Sequence, residues 1–248
     1  MEEKIIRELR GHSGSKVLLI EKNGILIVRK IGNVERNYER LTTLSNNDYP
    51  VPFIYGKEGE TLDMEYIHGL DMKSYLLSGS IQLLADFIIS TLNKFAVNSV
   101  VKDYTEVYNS KLEFVDLATD LPFKKDELIA RLPKKLPCSN YHGDLTLENI
   151  LHTNESFYMI DAVTIEYDSY IFDIAKLRQD LECKWFLRNT NLMLDVKLQN
   201  LQDKILSRFT GADNDYLLIL MLLRVYLHTK PGDKERDFIL KEVNRLWK

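Results

Sequence analysis

Cysteine is scarce: Cys138 and Cys183 are the whole supply. Neither has a second cysteine or a histidine pair near it in sequence, so neither a disulfide framework nor a zinc site is suggested. They read as small buried apolar residues. Long apolar runs are missing as well. The most apolar stretch, Tyr216 to Leu223, stops at Arg224, far short of the roughly 20 residues that a membrane helix needs. Nor is there an excess of positive charge: 33 Lys and Arg against 37 Asp and Glu leave a net charge of -4. The basic residues are scattered and form no stripe, which argues against a nucleic-acid partner. The opening Met1 to Arg7 lacks the apolar core and cleavage site of a signal peptide. A cytoplasmic protein with a small-molecule partner and no membrane is the expectation; composition leaves the oligomeric state open.

What the chain does contain is a change of period. With 45% hydrophobic residues over 248 positions, it can bury a large core without covalent help. From Ile5 to Ile67, short runs of Ile, Val and Leu alternate with turn signals, the signature of strands and hairpins. Val17 to Glu21 and Ile25 to Lys30 flank Lys22-Asn23-Gly24, a strong tight-turn signal because both Asn and Gly tolerate positive φ. A polar helix over 33–45 follows, and a second hairpin turns at Glu58-Gly59-Glu60. After His68-Gly69 the apolar spacing becomes three and four, predicting helices over 81–97, 104–117, 171–187, 192–209, 215–227 and 235–247. The class is α+β, with a strand-rich part, 1–67, before a helical part, 68–248. Within the latter, Ile150 to His152 and Tyr158 to Ile160 bracket Thr153-Asn154-Glu155-Ser156, which suits a small hairpin.

The chemistry gathers around that hairpin. Tyr141-His142-Gly143-Asp144 leads to Asn149, five residues after Asp144, and Asp161 ends the second run twelve residues later. Phosphoryl transfer needs a carboxylate to take the proton of an attacking hydroxyl, and oxygen ligands for magnesium bridging nucleotide phosphates. Asp144, Asn149 and Asp161 supply that set. Each alone would more often be a turn former or cap; it is their order and distance together that favour the functional reading.

The kinase catalytic loop has an Asp and an Asn at this spacing, followed by a strand-terminal, metal-binding Asp. Here His142-Gly143-Asp144 stands in place of His-Arg-Asp, and Ala162 follows Asp161. With Phe172-Asp173-Ile174-Ala175-Lys176-Leu177, an Asp opening a helix, the segment from Tyr141 to Leu177 resembles the aminoglycoside phosphotransferase and choline kinase family. Its wording resembles bacterial members of sugar or surface-polysaccharide pathways. The resemblance implies a two-lobed protein-kinase-like fold: a small antiparallel-sheet N-terminal lobe that binds nucleotide and a mostly helical C-terminal lobe. It implies a magnesium-dependent small-molecule kinase acting on a hydroxyl of a sugar, amino alcohol or aminoglycoside-like acceptor. Asp144 would be the base, Asn149 and Asp161 the magnesium ligands, and His142 and Asp173 would brace the loop. An N-cap carboxylate explains Asp173 almost as well.

The nucleotide end is plainer. Gly11 to Lys16 includes Gly14 in a turn that could lay amides over phosphates, but a hairpin turn fits equally. On the strand 26–30, Leu26, Val28 and Lys30 share a face. The family pattern would put Val28 on the adenine and Lys30 on the phosphates, with Arg29 the competitor. An acid should hold that lysine; Glu35 and Glu39 lie one turn apart, Glu39 slightly favoured although both are close to Lys30 in sequence. Met64 to Gly69 resembles the family hinge, where backbone groups near Glu65 and Ile67 would meet the base. ATP is the default, with GTP as the alternative. Glu166, Tyr167, Asp168, Asp180, Glu182 and Trp185 are candidate acceptor walls. Two other readings compete. A protein kinase would need Asp-Phe-Gly and Ala-Pro-Glu, and neither is present. A catalytically inactive nucleotide-binding scaffold is motivated by the poor glycine loop and the uncertain Lys and Glu pair.

Overall fold

A computed structural model describes residues 3–9 and 15–248. In chain order it runs β1 (Glu3–Leu9), β2 (Lys16–Lys22), β3 (Ile25–Ile31), α1 (Glu35–Asn46), β4 (Ile54–Glu58), β5 (Thr61–Glu65), β6 (Leu70–Asp71), α2 (Met72–Ser78), α3 (Ile81–Ala96), β7 (Val100–Asp103), α4 (Thr105–Lys111), α5 (Lys125–Arg131), β8 (Lys135–Cys138), β9 (Ile150–His152), β10 (Phe157–Met159), α6 (Tyr170–Leu181), α7 (Asp195–Leu206), α8 (Asp215–Tyr226) and α9 (Lys234–Leu246). The antiparallel sheet and helix-rich remainder are the α+β class expected from the sequence. Contacts divide the chain into two compact units, Met1–Ser78 with His142–Ile165, and Gly79–Tyr141 with Glu166–Lys248.

The first unit is built on an antiparallel sheet in the order β1-β2-β3-β5-β4. Asn23 and Gly24 take φ of 53° and 79°, so β2 and β3 are joined by the two-residue turn whose twist matches that of paired strands. Lys22 pairs with Ile25 and the register then runs unbroken to Lys16 and Ile31. Leu18, Ile20 and Ile27 form a buried cluster with Ile31 packed beside it. On α1 the buried residues are Asn37, Arg40, Leu41 and Leu44, the three-and-four spacing of an inward stripe. The unit is completed by a later stretch of chain: β9 and β10 pair in register from Phe157 and His152 to Met159 and Ile150, and β6 joins the outer side of β9. There Gly69 runs so close to β9 that a Cβ on it would lie 2.9 Å from the His152 carbonyl oxygen.

The second unit is helical around α6, whose residues from Ile171 to Leu181 are all buried. Leu217 to Leu223 of α8 are buried too, so the apolar run of the sequence is a core helix. Among the described residues no helix is long and apolar enough to cross a membrane. Asn214 starts α8 by accepting the Tyr216 and Leu217 N–H groups at 2.9 and 3.0 Å, satisfying donors that a helix start leaves open.

Several elements differ from the sequence reading, among them the short helices α2 and α5, which it did not anticipate. The expected helix over 104–117 is α4 followed by a 3-10 turn, Glu113–Leu117. The helix expected to reach Leu187 ends at Leu181, because Lys184 turns left-handed at φ 60°. Val100 to Asp103 pairs with Lys135 to Cys138; with some thirty residues between the strands, no turn signal marks that pairing.

Candidate active site

The segment from His142 to Asp161 builds its geometry from its own side chains. His142 is fully buried. Its Nδ1 accepts the Asp144 N–H at 3.3 Å. Burial pushes its pKa down to about 4; the negative charges of Asp144 and Asp161 and a hydrogen bond with the Ile160 backbone oppose this, and Arg40 adds to it. The ring is therefore neutral at pH 7 and acts as an acceptor that fixes the loop. Asn149 donates from Nδ2 to the Asp144 carbonyl at 2.8 Å and to Asp144 Oδ2 at 3.2 Å. The five-residue spacing is thus closed by two bonds, one to the Asp144 backbone and one that orients its carboxylate. The Ile160 N–H donates to the Asn149 carbonyl at 2.9 Å, and the Val163 N–H to the His142 carbonyl at 3.0 Å. These bonds tie both ends of the β9–β10 hairpin to the loop. Asp161 follows at φ 57°, a conformation an aspartate tolerates at modest cost.

Lys30 reaches the same place from β3. It is 5% exposed, and its Nζ donates to Asp161 Oδ1 at 2.6 Å. Arg29, on the opposite face, is occupied elsewhere, forking onto Asp63 at 2.6 and 2.7 Å and bonding Glu3 at 2.6 Å. The Asp63 hydrogen bond leads the causes that hold its guanidinium pKa high. The lysine's acid is a correction to the expected helix partner. Glu39 is exposed and Glu35 pairs with Lys57 at 2.5 Å; one turn apart, both lie off the buried stripe of α1. The α1 residue at the site is Asn37, whose Nδ2 donates to Asp161 Oδ1 at 3.1 Å and to the Ala162 carbonyl at 2.8 Å. A buried asparagine has no sequence signature of its own, although its place midway between Glu35 and Glu39 marks the inward side of the helix.

The remaining nucleotide-side candidates lie as follows. Val28 pairs across β5 with Met64 and Ile27 with Glu65. The Glu65 N–H donates to the Phe53 carbonyl at 2.8 Å, and its carboxylate accepts the Phe53 N–H at 3.1 Å. Ile67 is buried. Gly14 and its loop lie outside the described residues.

In the second unit Asp173 is 2% exposed, one turn into α6. The N-cap is Ser169, whose Oγ accepts the Ile171 N–H at 3.2 Å, which corrects the capping role weighed for Asp173. Of the candidate acceptor walls, the carboxylates mostly hold cations of this chain. Asp168 takes Lys102 Nζ at 2.8 Å on both oxygens, Tyr104 Oη at 2.9 Å and Cys138 Sγ at 3.3 Å. Burial pushes the Asp168 carboxyl up, but these bonds outweigh it and leave the pKa below the usual range. Glu166 pairs with Lys111, and Glu182 with Arg178 and Arg245. Tyr167 and Asp180 are buried, and Trp185 lies under the Arg188 guanidinium at 4.2 Å.

Among the described residues no group of three His, Cys, Asp or Glu side chains could hold a metal by itself. The donors here are one carboxylate, Asp161, and one amide, Asn149, whose Nδ2 is committed to Asp144 and whose oxygen is the end left for a cation. Such a sparse oxygen set fits magnesium, which keeps several waters and takes its other ligands from phosphates.

No protein-family model matches the sequence, and no curated protein does. Solved structures do. A candidate fructosamine-3-kinase from Haemophilus somnus 129PT superposes with a TM-score of 0.63 at 14% identity, covering 100% of this chain and 92% of that one. Aminoglycoside phosphotransferase APH(4)-Ia gives 0.64 at 10%, covering 99% and 93%. Choline kinase from Cryptosporidium parvum Iowa II gives 0.55 at 14%, covering 98% and 88%. This chain has their fold. The match over nearly all of each partner agrees with the kinase-like architecture that the catalytic-loop wording implied. At such identities the fold is what is shared, and function has to be argued from the residues.

Proposed function

We propose that this protein is a small-molecule kinase that moves the γ-phosphoryl group of ATP, or of GTP, onto a hydroxyl of a sugar, amino alcohol or aminoglycoside-like acceptor. The observation that carries the reading is the convergence within one compact unit of Lys30 on Asp161 at 2.6 Å and of Asn149 on Asp144 at 2.8 Å. One buried imidazole, His142, feels the charge of both carboxylates. These residues come from β3, the catalytic loop and the end of β10, and phosphoryl transfer makes use of each. The solved structures that share the fold, all named as kinases or phosphotransferases, support the same reading.

In this mechanism Asp144 accepts the proton of the acceptor hydroxyl, whose oxygen bonds the γ-phosphorus as the bond to the nucleoside diphosphate breaks. Asn149 holds the Asp144 carboxylate in line, and neutral His142 fixes the loop backbone at Asp144. Lys30 supplies positive charge to the phosphate oxygens. Asp161 and the Asn149 amide oxygen would hold magnesium, which when bound neutralises charge on the phosphates. Val28, Glu65 and Ile67 would line the base.

The test is magnesium-dependent transfer from ATP across a panel of sugars, amino alcohols and aminoglycosides, for wild type and Asp144→Asn. The variant should lose about 100-fold or more of turnover while still binding ATP. Wild type that binds ATP and phosphorylates nothing in the panel would favour the inactive scaffold instead.

A further inference from the structure

Resting on that reading, we propose that Asn37 is the positioning residue for the magnesium carboxylate, set where an acid would otherwise clamp Lys30, so that Lys30 is shared between Asp161 and the nucleotide phosphates. Both acceptors facing the Asn37 amide, Asp161 Oδ1 and the Ala162 carbonyl, can only receive hydrogen bonds. The end that meets them at 3.1 and 2.8 Å must therefore be the NH2 group, and both its protons are used. A second bond from α1 grips the same stretch: the Thr164 N–H donates to the Arg36 carbonyl at 2.9 Å. Residues 161–164 are thus held by adjacent positions of one helix, and Asn37 is 6% exposed, so its rotamer is fixed by packing.

The chemistry of an amide at this position differs from that of an acid. A carboxylate beside Asp161 would add a like charge and draw Lys30 to itself, whereas neutral Asn37 leaves Lys30 on Asp161 alone. When a cation and phosphates compete for Asp161 and Lys30, that ion pair can open. The two Asn37 bonds need not open with it, and they keep Asp161 Oδ1 and the left-handed turn at Asp161 in place. Lys30 therefore serves the phosphates directly, while Asn37 acts through Asp161 and affects only what depends on the metal.

The experiment is calorimetric titration of ATP into wild type, Asn37→Leu and Lys30→Met, each with saturating magnesium and with EDTA. Wild type should bind more tightly with magnesium. Asn37→Leu should lose about tenfold of that gain, as expected for a lost hydrogen bond to a charged group, with EDTA affinity within about twofold of wild type. Lys30→Met should lose about tenfold or more in EDTA. If Asn37→Leu does not fold, Asn37→Ala, which removes the amide and adds neither bulk nor charge, should lose the magnesium gain in the same way. A wild type that binds no ATP in either condition overturns the kinase reading and this assignment with it. Magnesium-assisted binding that the Asn37 variant retains in full, or a loss equal in magnesium and EDTA, overturns the assignment alone.

Discussion

Acidification offers the most direct test of the buried imidazole at the catalytic loop. An unfolded histidine has a pKa of about 6.5, and His142 in the fold sits at about 4. Because the folded value is the lower one, the unfolded chain takes up the proton first as the pH drops. The stability that His142 contributes is thus complete above pH 6.5 and is lost as the pH falls towards 4. Each pH unit inside that window changes stability by roughly 1.4 kcal/mol, so moving from pH 7 to pH 5 should cost roughly 2 kcal/mol through this one group. Stopping at pH 5 matters, since carboxylates such as Asp63 and Asp168, held below their usual range, begin to contribute only at lower pH. The assay is urea unfolding at pH 7, 6 and 5 for wild type and His142→Asn, beside an NMR titration of the histidine Cε1–H signals. The slope, rather than the absolute stability, is compared, because the variant will have its own baseline. One imidazole should stay neutral until near pH 4, and the variant should lose roughly 2 kcal/mol of the pH response. A full set of signals titrating near pH 6.5, or an identical slope in the variant, refutes the argument that burial dominates at His142.

Gly69→Ala should destabilise by roughly 1–3 kcal/mol, since its Cβ would meet the His152 backbone oxygen at 2.9 Å and overpacking against backbone cannot relax cheaply. Gly59→Ala, left-handed at φ 55° with nothing within 4 Å, should cost only about 1 kcal/mol; equal losses on chemical denaturation would contradict the packing argument. Arg178→Met should cost roughly 2–3 kcal/mol, because Arg178 is nearly enclosed while bonding both Glu182 and Asp215 at 2.7 Å. Its partners keep some access to water, which holds the loss at or below the low end for a buried ion pair; a change below 0.5 kcal/mol in urea unfolding would remove it as a bridge.

Local chemistry was legible in the sequence and non-local chemistry was not. Asn23-Gly24 announced its hairpin because the turn is decided by two residues, and Asp144 and Asn149 announced each other because five positions of loop bring them to hydrogen-bonding distance. The β9–β10 hairpin was readable for the same reason, its four-residue loop lying between two apolar runs. Asn37 carries no local signature because its partners are more than a hundred residues away, whereas Glu35 and Glu39, the acids close to Lys30 in sequence, lie off the buried stripe. The Ser169 cap was hidden by the nearer-looking Asp173. The β7–β8 pair has strands of four residues and no shared turn. Asp168 looked like an open acid for a cationic ligand, and only the fold reveals Lys102 on it, 66 positions away.

The first unit is assembled from two separated stretches of chain, and this sets an order of events at the ribosome. At about 5–20 residues per second, on the order of 3 to 13 s pass between synthesis of Ser78 and of His142. During that interval the early strands and helix exist without the hairpin that completes them. The nascent protein must then carry α1 with Asn37 awaiting partners not yet made, so a slowed or interrupted translation between those points would leave the unit without its β9–β10 hairpin.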